Sequence, residues 1–500
     1  MEFCGMLLLW ISVTFPFLCL LALVAGHRSH SQTLLPPGPR PLPVVGSLFQ
    51  IGNKPHQSLA RLAKTYGPLM TLRLGQVTTI VVSSPEVARE VLQMKDAVFS
   101  GRSIPDAVRA LGHADVSVAW QPPAKQWRSL RRICNTELFN SQTLDAHQSL
   151  RRQKVQELLS YISDRSLKGL PVDIGRVVFT TSLNLLSRTI FSVDLVDLHS
   201  ESSQEFKQVV LEIMKEAGGS NLSDFFPRLA PIDLQGRRRR LTALFEKLQD
   251  ILDEQINRRL QSKEEQQASK DFLEVLLHRQ VQQDNFKMDR QVMKSLFMDL
   301  FAAGTDTSSS TVEWAMAEVL RNPRCMAKAR DEVERVIGRE KEVEESDIGR
   351  LPYLQAVVKE TFRLHPPVPF LLPRKAESTV ELDGYTVPEG TRVLVNVWAF
   401  GRDGEAWPEP NEFRPERFLE REVDFRGRDM ELIPFGAGCR ICPGLPLAFR
   451  MVHLMLASLL QKFEWKLPDG MGPRDVDMTE SFGVTLAKAV PLRAIAVSIG

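Results

Sequence analysis

Apolar residues spaced three and four positions apart recur along most of the chain and predict a mainly α fold with small β-sheets. The predicted helices, each with one apolar face, cover residues 58–66, 86–93, 153–167, 241–260, 290–321 and 353–364. Strands are predicted around two turns, Gly75-Gln76 and Asp383-Gly384. The predicted strands that flank these turns cover residues 70–74 with 78–83, and residues 379–382 with 392–396. The polar stretch 261–291 is predicted to be an exposed helix end and a loop.

An uncharged and strongly apolar stretch covers residues 3–25. As a helix it would be about 34 Å long, enough to span a bilayer, so residues 1–26 are predicted to form a transmembrane anchor. A cleaved signal peptide is the alternative, but Glu2 replaces the basic start and no Ala-x-Ala follows. Positive residues come only after the span, beginning at Arg28, which places the rest of the chain on the cytosolic side.

Proline dominates the segment that follows the apolar stretch. Five prolines between positions 36 and 43 forbid helix and impose a stiff, extended path. Residues 27–46 are therefore predicted to be a polar and proline-rich hinge, although a generic linker has the same composition. No internal repeat and no second proline-rich break follow, so residues 47–500 are predicted to form one domain.

Charge and cysteine content narrow the class of protein. The chain has 63 Lys+Arg against 61 Asp+Glu, and a net charge of +2 is too small for a protein that reads nucleic acid, so no nucleic-acid partner is expected. The four arginines 237–240 are interpreted as a solvated helix start. Six cysteines in 500 residues are too few for a disulfide scaffold and indicate a reducing compartment. Cys439 and Cys442 form a lone Cys-x-x-Cys, which gives a zinc site little support.

The strongest chemical signal is the glycine-rich loop 434–444, which leads into an apolar helix at residues 445–460. Its glycines let the backbone approach a flat ligand and point amide hydrogens at a thiolate, which would lower the pKa of the cysteine and keep it available as a metal ligand. A glycine-rich turn with a buried or redox-active cysteine is the alternative. The loop resembles that of the cytochrome P450 haem-thiolate monooxygenases, Phe-x-x-Gly-x-Arg-x-Cys-x-Gly. Its fixed positions are filled by Phe435, Gly438, Arg440, Cys442 and Gly444.

This resemblance implies a cytochrome P450 fold with haem b as the cofactor. Cys442 would be the axial iron ligand, and its thiolate would favour cleavage of the oxygen–oxygen bond. Arg440 would pair with a haem propionate. Trp127 and Arg131 resemble the family's Trp-x-x-x-Arg, and together with Arg374 they would clamp the propionates. A surface aromatic with solvated arginines is the alternative for these three residues.

A second signal, Ala-Gly-Thr-Asp-Thr-Ser at residues 303–308, lies inside the long predicted helix 290–321. Small and hydroxyl residues are expected to weaken or bulge the helix, making room beside a ligand and freeing a carbonyl, although such a bend is often purely structural. The run resembles the family's oxygen-activation motif. The resemblance implies catalytic roles for Gly304, Asp306 and Thr307: Thr307 would hold water where oxygen is activated, and Asp306 would relay protons from solvent.

A third signal places Glu360 and Arg363 one helical turn apart, with Arg417 further along the chain. Glu-x-x-Arg is a common pattern, and only the order of elements singles out this copy. By resemblance to the family, the three residues would form a buried ion triad behind the haem with a structural role.

The resemblance covers nearly the whole chain and implies a plant microsomal enzyme. Residues 127–138 are similar to the geraniol 8-hydroxylase group and to its cereal relatives that hydroxylate labdane-related diterpenes. A terpenoid substrate is therefore expected, while flavonoids, alkaloids and xenobiotics remain alternatives. The predicted lining of the apolar substrate pocket is Phe297, Phe301, Ala302, Val368, Phe370, Leu371, Phe482 and Val484.

The chain has no Gly-x-Gly-x-x-Gly fingerprint, so electrons are expected from NADPH through a separate membrane-bound flavoprotein reductase. Arg132, Arg426 and Arg428 are candidates for the face that meets it. The expected location is the endoplasmic reticulum membrane, with the catalytic domain in the cytosol and the first helix in lipid. One alternative is a haem-thiolate isomerase or dehydratase, but such an enzyme would typically lack the Asp306-Thr307 pair. Further alternatives are a membrane-tethered haem sensor and a lumenal glycoprotein modified at Asn221.

Overall fold

The computed structural model describes residues 34–262, 271–281, 288–468 and 470–498. The predicted anchor, residues 1–26, and the first part of the predicted hinge lie outside these ranges. Within them, no helix combines the length and the apolar character that crossing a bilayer requires.

Helices form most of the described chain, which confirms the mainly α fold, although the sequence analysis predicted no helix for Ile174–Phe191, Ser202–Gly218 and Pro323–Ile337. The α-helices are α1 (Leu48–Ile51), α2 (Pro55–Tyr66), α3 (Pro85–Arg89), α4 (His113–Val116), α5 (Lys125–Ile133), α6 (Ser141–Ala146), α7 (Gln148–Leu167), α8 (Ile174–Phe191), α9 (Ser202–Gly218), α10 (Leu222–Phe225), α11 (Arg237–Ser262), α12 (Phe272–Val281), α13 (Arg290–Arg321), α14 (Pro323–Ile337), α15 (Pro352–Leu364), α16 (Val397–Phe400), α17 (Arg417–Glu420) and α18 (Leu445–Lys462). Short 3-10 segments are Asp106–Gly112, Pro227–Ile232, Glu345–Arg350, Gly438–Arg440 and Pro473–Asp475, and π segments are Glu90–Met94 and Cys134–Leu138.

The long helix α13 runs through the helical body and packs against α8, α18, α15 and α11. Its bounds agree with the sequence prediction because a capping residue marks its first turn and a proline follows its last turn. The Asp289 side chain accepts a hydrogen bond from the Val292 amide at 3.0 Å, and Pro323 follows the last turn. Every side chain from residue 308 to 320 is buried, which places this half of the helix in the core.

Strands are short, and the described chain arranges them in several small sheets. The strands are β1 (Leu69–Leu74), β2 (Val77–Val82), β3 (Gly101–Arg102), β4 (Val172–Asp173), β5 (Arg374–Lys375), β6 (Val380–Leu382), β7 (Tyr385–Val387), β8 (Arg392–Val395), β9 (Phe463–Lys466), β10 (Glu480–Phe482), β11 (Leu486–Lys488) and β12 (Arg493–Ser498). The largest sheet has the order β1-β2-β8-β5-β3, and the others are β4-β12-β9, β6-β7 and β10-β11. The hairpin predicted around Gly75-Gln76 is confirmed by the antiparallel pairing of β1 with β2.

Of the two strands predicted to pair around the Asp383-Gly384 turn, the second is wrong. Strand β6 pairs with β7, in the register Leu382↔Tyr385, whereas β8 runs parallel to β2 in the largest sheet. Both turn residues have positive φ, 50° at Asp383 and 75° at Gly384. Such a two-residue turn closes directly onto the next residues, so the partner strand begins immediately after it.

The polar stretch 261–291 also differs from its prediction. It contains α12, whose Phe272, Leu273, Leu276 and Leu277 are buried. The Phe272 ring packs edge-on against Phe297 of α13, with centroids 6.3 Å apart. These apolar residues form one narrow stripe, which the many polar residues around it obscured in the sequence.

Candidate active site

A cavity of about 340 Å³ is lined both by α13 and by the loop before α18. From α13, Ala303, Gly304 and Thr307 reach its surface, and from the loop Phe435 and Cys442 do so. The two strongest sequence signals therefore meet at one cavity. A Cβ on Gly304 would lie 2.8 Å from Leu186 Cδ1, so a larger residue here would require the Leu186 side chain of α8 to shift.

The cysteine loop is held in place by its backbone. The Cys442 amide donates a hydrogen bond to the Phe435 carbonyl at 2.9 Å, which closes the loop. Gly438 has a φ of +71°, and a Cβ on it would collide with the carbonyl oxygen of Leu92 and the carboxylate of Asp96. Glycine is required at this position both for its conformation and for this close approach.

Opposing electrostatic effects act on the pKa of the Cys442 thiol. Burial raises the pKa of Cys442, while the amides of Gly444 and Leu445 and the charge of Arg131 act to lower it. The expected net lowering of the pKa is therefore wrong for the protein alone, because burial outweighs the amides. The amides do reach this cysteine, as the glycine-rich sequence predicts.

Arginines gather beside this loop at the cavity wall: Arg102, Arg131, Arg374 and Arg440. The Arg440 guanidinium lies 4.1 Å from the centre of the Trp127 ring and donates to the Ser100 carbonyl at 3.0 Å. Its Nη1 is buried without a hydrogen-bond partner. Burial, together with the neighbouring cations Arg374 and Arg131, lowers the pKa of Arg440 to about 10.

The arginine cluster has more positive than negative charge. Among the residues that the structure describes, Asp96 is the only carboxylate in an ion pair with it, at 3.0 Å from Arg374. Burial and the charges of Arg374 and Arg440 also lower the pKa of Arg102. Four cations that repel one another in a desolvated wall are suited to an anionic ligand.

Arg102 was missed by the sequence analysis. It belongs to the two-residue strand β3 and donates to the Ala119 carbonyl at 3.1 Å and to the Leu372 carbonyl at 2.9 Å. A single arginine beside a glycine carries no motif, so only the pairing of β3 with β5, which brings it beside Arg374, reveals the position.

The Ala-Gly-Thr-Asp-Thr-Ser run does not interrupt α13, which contradicts the predicted bulge. Instead, hydroxyl groups bond back to the preceding turn: Thr307 Oγ1 donates to the Ala303 carbonyl at 2.6 Å, and Thr305 Oγ1 to the Phe301 carbonyl at 2.6 Å. Thr307 lines the cavity. Asp306, one position earlier, points elsewhere: it is buried, and burial raises its pKa.

Glu360, Arg363 and Arg417 lie together in the core, as their order in the sequence predicts. Glu360 pairs with Arg363 at 2.6 Å and with Arg417 at 3.0 Å, and none of the three side chains is more than 7% exposed. The Arg414 amide also donates to Glu360 at 2.7 Å. One carboxylate therefore pairs with two buried cations, whose remaining donors bond to backbone carbonyls such as Gly401 and Pro408.

The predicted apolar lining is placed in two groups. Ala302, Val368, Leu371 and Val484 line the main cavity. Phe370 and Phe482 instead line a smaller cavity of about 140 Å³, which shares Leu371 and Val484 with the first. Their prediction as lining of the main pocket is wrong, because the rings pack against each other with centroids 6.0 Å apart.

Phe297 and Phe301 also differ from the prediction. They pack around Phe191 of α8, with ring centroids 5.1 and 6.0 Å away, and are 0% and 2% exposed. Their side of α13 faces the helical core. Helical periodicity identifies an apolar face but cannot tell whether that face meets a core or a cavity.

A polar patch of the cavity wall was also missed. Asp299 of α13 accepts hydrogen bonds from Ser117 Oγ at 2.7 Å and from the Val118 amide at 2.8 Å, and His113 Nε2 lies 3.2 Å from it. Asp299 thereby holds residues 117–119, of which Val118 and Ala119 line the cavity, against the central helix. An acid two turns before Asp306, in an otherwise apolar stretch of helix, was the signal available in the sequence.

A cysteine loop, a threonine-bearing helix and a buried arginine cluster around one cavity are the arrangement that a haem-thiolate enzyme requires. The cytochrome P450 family matches residues 36–491. The chain therefore belongs to the cytochrome P450 family.

Individual relatives make the similarity more specific. A geraniol 8-hydroxylase of Catharanthus roseus is 54% identical over 94% of this chain and 95% of its own length. A geraniol 8-hydroxylase of Swertia mussotii is 52% identical over 98% of this chain and 99% of its own length. A drimenol monooxygenase of Persicaria hydropiper is 49% identical over 94% of this chain and 93% of its own length.

The family implies haem as the cofactor, and the residues present fit it. Cys442 offers a thiol to the cavity, as an iron ligand requires, and the arginine cluster offers cations for two propionates. The buried, unpartnered Nη1 of Arg440 is an orphaned donor that an acidic group would satisfy. When bound, a thiolate-ligated haem iron supplies the activation of dioxygen.

Proposed function

We propose that this monooxygenase hydroxylates an apolar terpenoid. The observation that carries the proposal is the cavity itself, in which Cys442 and Thr307 share a space lined by apolar side chains such as Ala302, Val368 and Val484. Such a wall binds by buried area and selects for size. The names of the relatives, two geraniol 8-hydroxylases and a drimenol monooxygenase, support a terpenoid among apolar substrates.

Each part of the site has a distinct role in this proposal. Cys442 would bind the haem iron, and Arg102, Arg131, Arg374 and Arg440 would neutralise the propionates. Thr307 holds a water molecule at the reaction centre through its hydroxyl group, and Asp306 supplies protons. The apolar wall orients the substrate carbon and excludes bulk water.

Electrons reach the enzyme, in this proposal, from NADPH through a separate flavoprotein reductase. The proposed docking face is the exposed basic surface near the cysteine loop, with Arg132, Arg426 and Arg428 as candidates. Arg428 has 81% of its side chain accessible and pairs with Asp424 at 2.7 Å. Reversing its charge in R428E is expected to slow reduction at low ionic strength and to leave carbon monoxide binding unchanged. An unchanged salt dependence of reduction would exclude Arg428 from the docking face.

We further propose that residues 1–26 anchor the enzyme in the endoplasmic reticulum membrane and that residues 27–46 connect the anchor to a cytosolic domain. Exposed apolar side chains support a membrane-facing surface: Val44 is 50% exposed, Phe49 78%, Ile232 61% and Leu234 55%. Of the two segments that carry them, the β1–β2 turn contacts the first and the helix that precedes the second: the Gly75 amide donates to the Val45 carbonyl at 3.2 Å, and the Gln76 amide donates to the Phe225 carbonyl of α10 at 2.9 Å.

The glycosylation signal at Asn221 does not favour a lumenal domain. The Asn221 side chain is 1% exposed, and its Oδ1 accepts a hydrogen bond from the Ser223 amide at 3.3 Å. A glycan on this nitrogen would not fit the folded domain.

Microsomes that contain this chain and a plant reductase test the function. With NADPH, we expect a hydroxylated product from geraniol, from drimenol or from a polycyclic diterpene olefin, and none from the matched variant C442A. If the reduced, carbon monoxide-bound protein shows a thiolate-ligated haem spectrum but none of the three is oxidised, the terpenoid assignment is wrong. Absence of that spectrum in the wild type would overturn the haem-thiolate site itself.

A further inference from the structure

Asp306 is separated from the cavity that it is expected to serve. Asp306 does not line the cavity and is 2% exposed. Because adjacent residues of a helix do not face each other, its carboxyl group does not reach the cavity by way of Thr307. Its Oδ2 instead accepts a hydrogen bond from Thr485 Oγ1 at 2.5 Å, and Thr485 does line the cavity. The hydroxyl of Thr485 is thus a link between the buried carboxyl group and the cavity.

The segment that carries Thr485 is fixed on three sides. The Val484 amide donates to the Met214 carbonyl of α9 at 2.9 Å, and the Leu486 amide donates to the Pro367 carbonyl at 2.8 Å. The Leu486 carbonyl accepts from the Trp314 indole at 3.2 Å. Thr485 itself is 3% exposed, so its side chain stays between Asp306 and the cavity while the hydroxyl hydrogen remains free to rotate.

Asp306 also has a charged neighbour. Lys207 of α9 is the cation that acts on it, and the Lys207 ammonium lies 4.0 Å from Asp173, which is 22% exposed. Asp306 therefore has a hydroxyl that connects it to the cavity, and it lies in the field of a lysine whose own ion-pair partner is partly exposed.

We propose that Thr485 is a positioning residue for proton delivery, whose hydroxyl passes protons between Asp306 and the cavity. Between transfers the Thr485 hydroxyl donates to Asp306 Oδ2. In each transfer the hydroxyl hydrogen turns to a water molecule in the cavity and passes to it, while Thr485 Oγ1 accepts the carboxylic acid proton of Asp306, which a proton from solvent then replaces. No electrons move in this step, and Thr485 ends unchanged. The inference rests on the proposed monooxygenase function, because only oxygen activation consumes these protons.

The test compares T485V, which removes the hydroxyl with little change in volume, with T485S, which keeps it. T181V is the matched control, since Thr181 is equally buried but donates only to a backbone carbonyl, at 2.8 Å from Val177. T485A repeats the hydroxyl deletion without the Val methyl groups in case T485V does not retain haem. The substrate is the terpenoid that the wild type oxidises.

We expect T485V and T485A to form about tenfold less product per NADPH, with the lost electrons appearing as hydrogen peroxide or water, and a larger solvent isotope effect. T485S and T181V should keep the wild-type ratio, and substrate affinity in spectral titrations should not change. D306N combined with T485V should be no worse than D306N alone, because both break one path. Independently of turnover, T485V should melt at a lower temperature than T485S, since the Asp306 carboxyl loses its hydrogen bond.

Unchanged product per NADPH in T485V and T485A would overturn the proposal, and so would losses that add in the double variant. A wild-type enzyme that oxidises no terpenoid would instead count against the proposed function. In that case the melting temperatures still decide whether Thr485 stabilises Asp306.

Discussion

Glu360→Gln is the sharpest perturbation of the buried ion triad. Glu360 is fully buried and pairs with both Arg363 and Arg417. The substitution keeps the shape and one carbonyl acceptor for the Arg414 amide, but removes the negative charge with which both buried guanidinium groups pair. Breaking a buried pair in this way leaves uncompensated charge and costs about 3–5 kcal/mol.

The size of this loss fixes the expected melting temperature. An unfolding entropy of about 2.1 cal/mol/K per residue gives about 1 kcal/mol/K for a chain of 500 residues. E360Q is therefore expected to melt about 3–5 °C below the wild type in a thermal scan of the haem-loaded enzyme.

Glu254→Gln is the matched control, because it makes the same chemical change in an exposed pair. Glu254 and Arg258 are 55% and 66% exposed, and such pairs contribute little to stability. E254Q should melt within about 1 °C of the wild type. If E360Q and E254Q melt at the same temperature, the carboxylate is not what stabilises the two buried arginines, and the reasoning is refuted.

Three further predictions concern the cofactor, the cavity wall and acid stability. R440A should lose most of its haem during purification, measured as the Soret absorbance relative to protein, whereas R474A, on the exposed segment 473–475, should keep it. D299A should release segment 117–119 and broaden the product mixture, and a single wild-type product would contradict this. Burial alone would raise the pKa of Glu480, but the hydrogen bond and charge of His56 lower it to about 2, below the usual 4.5. The wild type should therefore lose stability as the pH falls from about 4.5 towards 2, and E480Q should lose less in that window.

The sequence predicted those parts of the molecule whose signals are local. Helix α13 was bounded correctly because Asp289 and Pro323 mark its two ends. Local patterns could not show which side of α13 faces the cavity, so Phe297 and Phe301 were assigned to the substrate rather than to the core. Thr485 was missed because its partner Asp306 is 179 residues away, and only the folded chain brings them together.

The same limit applies to the cofactor site. Its cysteine loop was found because every fixed residue lies within a short run, and Arg131 and Arg374 were found by resemblance. Arg102 had no motif and became visible only through the pairing of β3 with β5. Helix α12 was missed for a different reason: its apolar stripe is short and lies within a strongly polar stretch.

The cysteine loop and the substrate-facing wall are built from different kinds of contact. The loop depends on backbone approach, such as Gly438 against the Leu92 carbonyl and the Cys442 amide on the Phe435 carbonyl. The wall depends on side chains such as Val368 and Val484, which come from separate segments. Replacements in the wall can therefore change which molecule is accepted while the iron-binding loop keeps its shape, so this architecture can diversify in substrate without losing its reaction.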